Sequence, residues 1–153
     1  MTTLKTILLA EDDPRDQELT LAVLGQQNLV NEVAVANDGE EALDYLYRRG
    51  KFSARQEGNP AVVVLDLKMP KVDGLEVLKQ IRSDPQLKTL PVVILSSSRE
   101  EGDLRNTYDL GVNAYVVKPV DFREFSNKVK QLGLFWATTN EPPPASTKSR
   151  SRV

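Results

Sequence analysis

Five short apolar runs, each followed by a polar stretch with helical periodicity, constrain this chain more than any other feature. They read TILLA (6–10), EVAVA (32–36), AVVVL (61–65), PVVIL (91–95) and NAYVV (113–117). Their β-branched, nearly continuous apolar character suits strands of a parallel sheet that is covered on both faces. We label them β1 to β5. Helical patterns follow near 14–27, 39–49, 74–83, 99–110 and 121–132, labelled α1 to α5. Strict strand–helix alternation means a doubly wound α/β domain, a (βα)5 unit with a five-stranded parallel sheet. Right-handed crossovers leave few topologies, and the order 2-1-3-4-5 is the one expected at this size.

Helix start signals support the reading. Asp13 precedes Pro14, a proline suited to the first helical position, and Asp13 is expected to cap α1. Asp38 with Glu41, Ser98 with Glu101 and Asp121 with Glu124 have capping-box spacing. Gly111 is placed to stop α4. Two segments fall outside the minimal pattern. GKFSARQEGNP (50–60) is longer than a helix-to-strand loop needs and reads as a tolerated surface insertion. After Trp136 the chain becomes ATTNEPPPASTKSRSRV, too rich in proline, serine and basic residues to bury a core. The expected division is a folded domain over 1–136 and a tail over 137–153, largely disordered, with a short polyproline segment at the three prolines.

Composition removes most kinds of chemistry. The 153 residues include no cysteine and no histidine. That excludes disulfides, thiolate nucleophiles, histidine-based triads and histidine metal sites within this chain. A net charge of −2 offers no basic field for nucleic acid. No apolar stretch approaches the roughly 18 residues needed to span a membrane. The opening MTTLKTILLAEDDP meets three acids too soon for a signal peptide. The acids must carry any chemistry.

In a sheet of this order, ligands bind beyond the carboxyl ends of the strands, where β1 and β3 lie side by side. Glu11, Asp12 and Asp13 follow β1, and Asp66 follows β3. Strands roughly 5 Å apart bring these carboxylates close together. Like charges that close call for a cation, and an all-oxygen donor set selects a hard divalent ion such as Mg2+. With Asp13 taken as a cap, Glu11 and Asp12 form the metal-side pair. LSSS (95–98) leaves β4 with hydroxyls, and AYVVKP (114–119) leaves β5 with Lys118. Three acids, a hydroxyl and a lysine on four strand ends suit a transferring phosphoryl group, with Asp66 as the attacking carboxylate.

LLAEDDP, VVVLDLKMPKVDG, PVVILSSS and AYVVKPV, in that order and spacing, resemble the response-regulator receiver domains of two-component signalling, from about Lys5 to Leu132. The resemblance implies a flavodoxin-like receiver with Asp66 as phosphoacceptor. It implies Asp12 as a Mg2+ ligand, Glu11 acting through water, and the backbone carbonyl of Lys68 completing the protein's ligands. Ser96 becomes the switch hydroxyl, Lys118 the phosphate-binding lysine, and Tyr115 the aromatic whose rotamer follows Ser96. Lys68 and Ser98 fall on positions that tune the phospho-state; Lys68 either shields the phosphoryl group or extends into solvent. The Lys118–Pro119 bond is expected to be cis.

Too few residues follow Leu132 for an output domain, so the expectation is a stand-alone, cytoplasmic receiver that is not an enzyme beyond its own phosphorylation and dephosphorylation. The 50–60 connection and the tail beginning LFWATTNEPPP resemble small response regulators paired with bacterial phytochrome histidine kinases. That implies a sensor histidine kinase as donor and a homodimer formed through the α4–β5–α5 face, with no direct DNA or membrane binding. Phe135 and Trp136 either pack on their own subunit or meet a partner. A phosphorylation-independent binding module is the alternative. A dehalogenase-type phosphatase would need an acid where Lys68 stands, and a flavin mononucleotide site would be repelled by EDDP.

Overall fold

The computed structural model describes residues 6–27, 32–56 and 58–144. Five parallel strands run in the order β2-β1-β3-β4-β5. They are β1 (Thr6–Ala10), β2 (Glu32–Ala36), β3 (Val62–Leu65), β4 (Val92–Ser96) and β5 (Ala114–Val117). Every residue of β1, β3 and β4 is buried, whereas β5, an edge strand, is half-buried throughout.

The pleat sends alternate residues to two cores. Leu8, Ala10, Val63, Leu65, Val92 and Ile94 pack on one face with Ala42, Tyr45 and Leu46 of α2 (Gly39–Tyr47) and Val77, Leu78 and Ile81 of α3 (Gly74–Ser83). Ile7, Leu9, Val62, Val64, Val93 and Leu95 pack on the other with Val23 and Leu24 of α1 (Pro14–Gln27) and Phe125, Val129 and Leu132 of α5 (Phe122–Leu134). Covering both faces is what the unbroken apolar runs required.

Caps fix most helix starts. The Asp13 Oδ1 accepts from the Arg15 and Asp16 amides at 2.8 and 3.2 Å. The Asp38 and Asp121 carboxylates accept from the Glu41 and Glu124 amides at 2.8 and 3.0 Å. Asp73, which the sequence reading passed over, accepts from Glu76 at 2.9 Å. Gly111 has φ +89° and ends the helical winding after α4, as expected.

Three helix boundaries differ from expectation. The α2 helix stops at Tyr47, because Arg48 adopts a left-handed φ of 57° and closes the end onto Asp44 and Tyr45 carbonyls. The α4 helix (Glu101–Asp109) starts late, with Glu100 as its extended cap residue. Ser98 forms no capping box with Glu101; its hydroxyl accepts from the Glu100 amide and donates to Asp103. The α5 helix runs to Leu134 and passes into a π-helical turn, Phe135–Thr139. Trp136 packs against the α1–α5 core, and Phe135 stays 46% exposed.

Residues 50–60 open with a 3-10 turn, Gly50–Phe52. Arg55 ties the loop back to α2: its Nε donates to the Tyr45 carbonyl at 3.0 Å, and its guanidinium stacks 4.0 Å from the Tyr45 ring centroid. Glu141 to Pro144 form no helix or strand. The rest of the expected tail, from residue 145, and the first five residues lie outside the described residues. None of the described helices is long and apolar enough to cross a membrane.

Candidate functional site

The sheet's register delivers the acids to one place. Ala10 pairs with both Ala36 and Leu65, so Glu11 and Asp66 leave adjacent strands at the same level. The Asp66 amide donates to the Ala10 carbonyl at 3.0 Å, and the Glu11 amide to Ala36 at 3.0 Å, which holds both backbones at the strand ends. One carboxylate oxygen each of Glu11, Asp12 and Asp66 lies within 4.8 Å of the others. Glu11 and Asp66 are buried, and Asp12 is exposed.

Lys118 enters from β5. Its amide donates to the Ser96 carbonyl at 2.7 Å, extending the β4–β5 ladder by one step. Its Nζ donates to Glu11 Oε1 at 2.7 Å, Asp16 Oδ2 at 2.8 Å and Asp66 Oδ2 at 3.2 Å. Asp16, in the first turn of α1, was missed by sequence reasoning. An acid in a helix's first turn reads as a dipole partner, and nothing in its spacing points at a lysine 102 residues away.

The charges do not balance. Three carboxylates (Glu11, Asp16 and Asp66) contact one ammonium, and a fourth, Asp12, clusters with Glu11 and Asp66. Burial pushes the Glu11 carboxyl up to about 7, helped by the Asp66 charge and opposed by Lys118. Burial disfavours the Lys118 charge, but hydrogen bonds to Asp16 and Glu11 and the charge of Asp66 outweigh it and raise the ammonium above its ordinary value. A pocket of oxygen donors with surplus negative charge, and no nitrogen or sulfur donor among its carboxylates, fits a hard divalent cation.

Asp13 stands apart, its carboxyl held below the usual range by the Asp16 and Arg15 amides. Ser96 is 1% exposed at the end of β4, and its Oγ accepts from the Ser98 amide at 3.2 Å. The Tyr115 hydroxyl donates to the Ser98 carbonyl at 3.0 Å. The Lys68 amide lies 3.4 Å from Asp66 Oδ1, and its side chain is 72% exposed with Nζ 3.8 Å from Asp103 Oδ2. The expected cis bond is not present: no described peptide bond is cis, so Lys118–Pro119 holds the trans form that even proline prefers by about 0.5–1 kcal/mol.

One further position was not legible. Gly74 sits so close to the Asp66 backbone that a Cβ there would lie 2.2 Å from the Asp66 carbonyl oxygen. Its amide also donates to the Leu67 carbonyl at 2.8 Å, bracing the loop that carries Asp66.

The response regulator receiver domain model matches residues 7–130, which include this whole cluster. The chain belongs to the response-regulator receiver family. Among curated relatives of this receiver is Response regulator Rcp1 of Synechocystis, 36% identical over 141 residues, 92% of this chain and 95% of the relative. A manganese-bound structure of Rcp1 superposes with a TM-score of 0.85 at 35% identity, covering 92% of this chain and 99% of that one. The phosphorylated cyanobacterial phytochrome response regulator RcpA gives 0.86 at 39%, covering 93% and 100%. The bacteriophytochrome response regulator RtBRR is 61% identical, with a TM-score of 0.73 over 98% of this receiver and 90% of that chain. Its relatives thus include phytochrome response regulators and a response regulator solved with manganese.

Proposed function

We propose that this receiver accepts a phosphoryl group on Asp66 from the phosphohistidine of a sensor kinase, one of the bacterial phytochrome type. The observation that carries the reading is Lys118 Nζ, 3.2 Å from Asp66 inside a cluster of carboxylates whose charge it cannot balance alone. Glu11 (through water), Asp12, Asp66 and the backbone carbonyl of Lys68 would hold Mg2+. Bound there, the cation offsets the surplus carboxylate charge and draws charge from phosphoryl oxygens.

The chain's own residues do the rest. An Asp66 oxygen forms the new bond to phosphorus as the histidine N–P bond breaks, and that electron pair stays on the imidazole nitrogen. The Lys118 ammonium turns from its carboxylate partners to a phosphoryl oxygen. The Ser96 hydroxyl donates to another, leaving the Ser98 amide, and the Tyr115 ring follows into the space Ser96 gives up. The phosphoryl group shifts this equilibrium only by as much as it binds the second state better. The chemistry stays within the chain's own phosphorylation and dephosphorylation, in the cytoplasm.

Output runs through the α4–β5–α5 side, as a homodimer contact or a partner surface. The large exposed apolar residues support that side: Tyr108 on α4, Val120 and Phe122 at the β5–α5 junction, and Leu134 and Phe135 where α5 ends. The donor is tested by incubating the chain with the autophosphorylated kinase region of a bacterial phytochrome and following the label. Transfer to wild type and none to Asp66→Asn is expected. No transfer from the phytochrome-type kinase, or transfer from unrelated kinases at an equal rate, overturns the pairing.

A further inference from the structure

Lys118 divides its ammonium among three carboxylates that stand in different places. Its Nζ lies 2.7 Å from Glu11 Oε1, 2.8 Å from Asp16 Oδ2 and 3.2 Å from Asp66 Oδ2. An ammonium has three protons to donate, so these contacts engage all of them. Glu11 and Asp66 also belong, with Asp12, to the cluster that fits a divalent cation. Asp16 stands outside that cluster, on the first turn of α1, and reaches the site through Lys118. The cap of α1 puts it there, since the Asp16 amide donates to Asp13 Oδ1 at 3.2 Å. An acid that served the helix dipole alone would extend into water. The Asp16 side chain is instead 26% exposed, against a lysine that is 10% exposed.

Lysine and cation draw on the same two acids. A divalent ion on Glu11 and Asp66 repels the ammonium and takes over the charge that held it. A lysine that then left for solvent would abandon its place beside Asp66. A lysine that stayed with no counter-charge would be a buried, unpaired cation next to another cation. We propose that Asp16 is a positioning residue, the carboxylate that retains Lys118 beside Asp66 when Glu11 and Asp66 turn to a divalent cation. The inference rests on the metal and phosphoacceptor reading above and deepens it, by giving one pocket a way to hold two kinds of cation. Lys118 turns from Glu11 and Asp66 while Asp16 keeps its hold, and the protons so released are donated to phosphoryl oxygens.

The experiment measures Mg2+ affinity by titration calorimetry in wild type, Asp16→Asn, Lys118→Met and the double variant. Asp16→Asn lowers the direct attraction for the cation in either background, so the cycle isolates what passes through Lys118. The loss of affinity on Asp16→Asn is expected to be about fivefold larger with Lys118 present than in Lys118→Met, the order of one part-exposed charge-assisted bond. The second arm follows the Lys118 ammonium by nitrogen NMR in wild type and Asp16→Asn. On addition of Mg2+ its proton exchange with water should stay slow in wild type and speed up in Asp16→Asn. Thermal midpoints show which variants are folded, and if Lys118→Met is not, the ammonium arm decides alone. Equal losses of affinity in the two backgrounds overturn the role of Asp16, and so does an ammonium that Mg2+ frees to the same extent in wild type and Asp16→Asn. A wild-type chain that binds no Mg2+ overturns the metal reading itself.

Discussion

Two cationic side chains sit near opposite ends of the sheet, and their partners differ in kind. Arg82, at the end of α3, donates to the carbonyls of Gly111 (2.9 Å), Lys88 (3.1 Å) and Leu90 (2.7 Å) and to the Asn113 side chain (2.8 Å). All four acceptors are neutral, and burial alone lowers its affinity for the proton. Lys118, at the carboxyl end of β5, meets three carboxylates, with Asp12 beside them. The Arg82 end satisfies otherwise idle carbonyls and is complete as it stands. The Lys118 end carries more carboxylates than cations, a surplus that the proposed Mg2+ and phosphoryl chemistry would use. The two ends thus differ in the charge of their partners rather than in their burial.

The comparison breaks most visibly at Arg82. Arg82→Ala leaves several carbonyls short of a donor and is expected to cost about 2–3 kcal/mol in urea unfolding, with Mg2+ binding unchanged. Were Mg2+ binding lost while the variant stayed folded, the two ends would not be independent. Gly74→Ala links fold to site: its Cβ must push against the Asp66 carbonyl. Such overpacking costs about 1–3 kcal/mol, and here phosphoryl uptake should fall with it. Normal uptake in that variant would mean the loop tolerates displacement.

The next variants carry opposite signs. Asp12→Asn removes one of the crowded carboxylates, so the metal-free protein should gain about 0.5–1 kcal/mol, the usual yield of relieving surface charge. The rise in thermal midpoint that Mg2+ gives wild type should vanish in it. A destabilised Asp12→Asn would show that the cluster is not overcharged. Asp121→Ala, by contrast, removes an aspartate already satisfied by the Glu124 amide and should cost about 0.5–1 kcal/mol with no effect on Mg2+.

These pairs also mark what was legible in the sequence. Strand runs, crossover rule and capping aspartates are local signals, and the sheet order, α1, α3 and the Asp13, Asp38 and Asp121 caps follow from them. Glu11, Asp12, Asp66 and Lys118 were legible as a group because strand ends converge in this topology. Arg82 was not, since its partners are backbone carbonyls that any residue carries. Gly74 was opaque for a related reason: the close approach that demands glycine is a distance between two elements. Ser98 had the spacing of a cap, yet its hydroxyl oxygen accepts from the Glu100 amide, two residues on, and its proton goes to Asp103, so α4 starts without it. The trans Lys118–Pro119 bond departs from what the family resemblance implied.

The central claim is that the overcharged end takes a phosphoryl group on Asp66 with a divalent cation. Intact mass after incubation with acetyl phosphate tests it most directly, run with and without Mg2+ on wild type and Asp66→Asn. The account predicts a gain of one phosphoryl group in wild type, only with Mg2+, and none in Asp66→Asn. No gain in wild type, or an equal gain in Asp66→Asn, would contradict it and leave a binding module with the shape of a receiver.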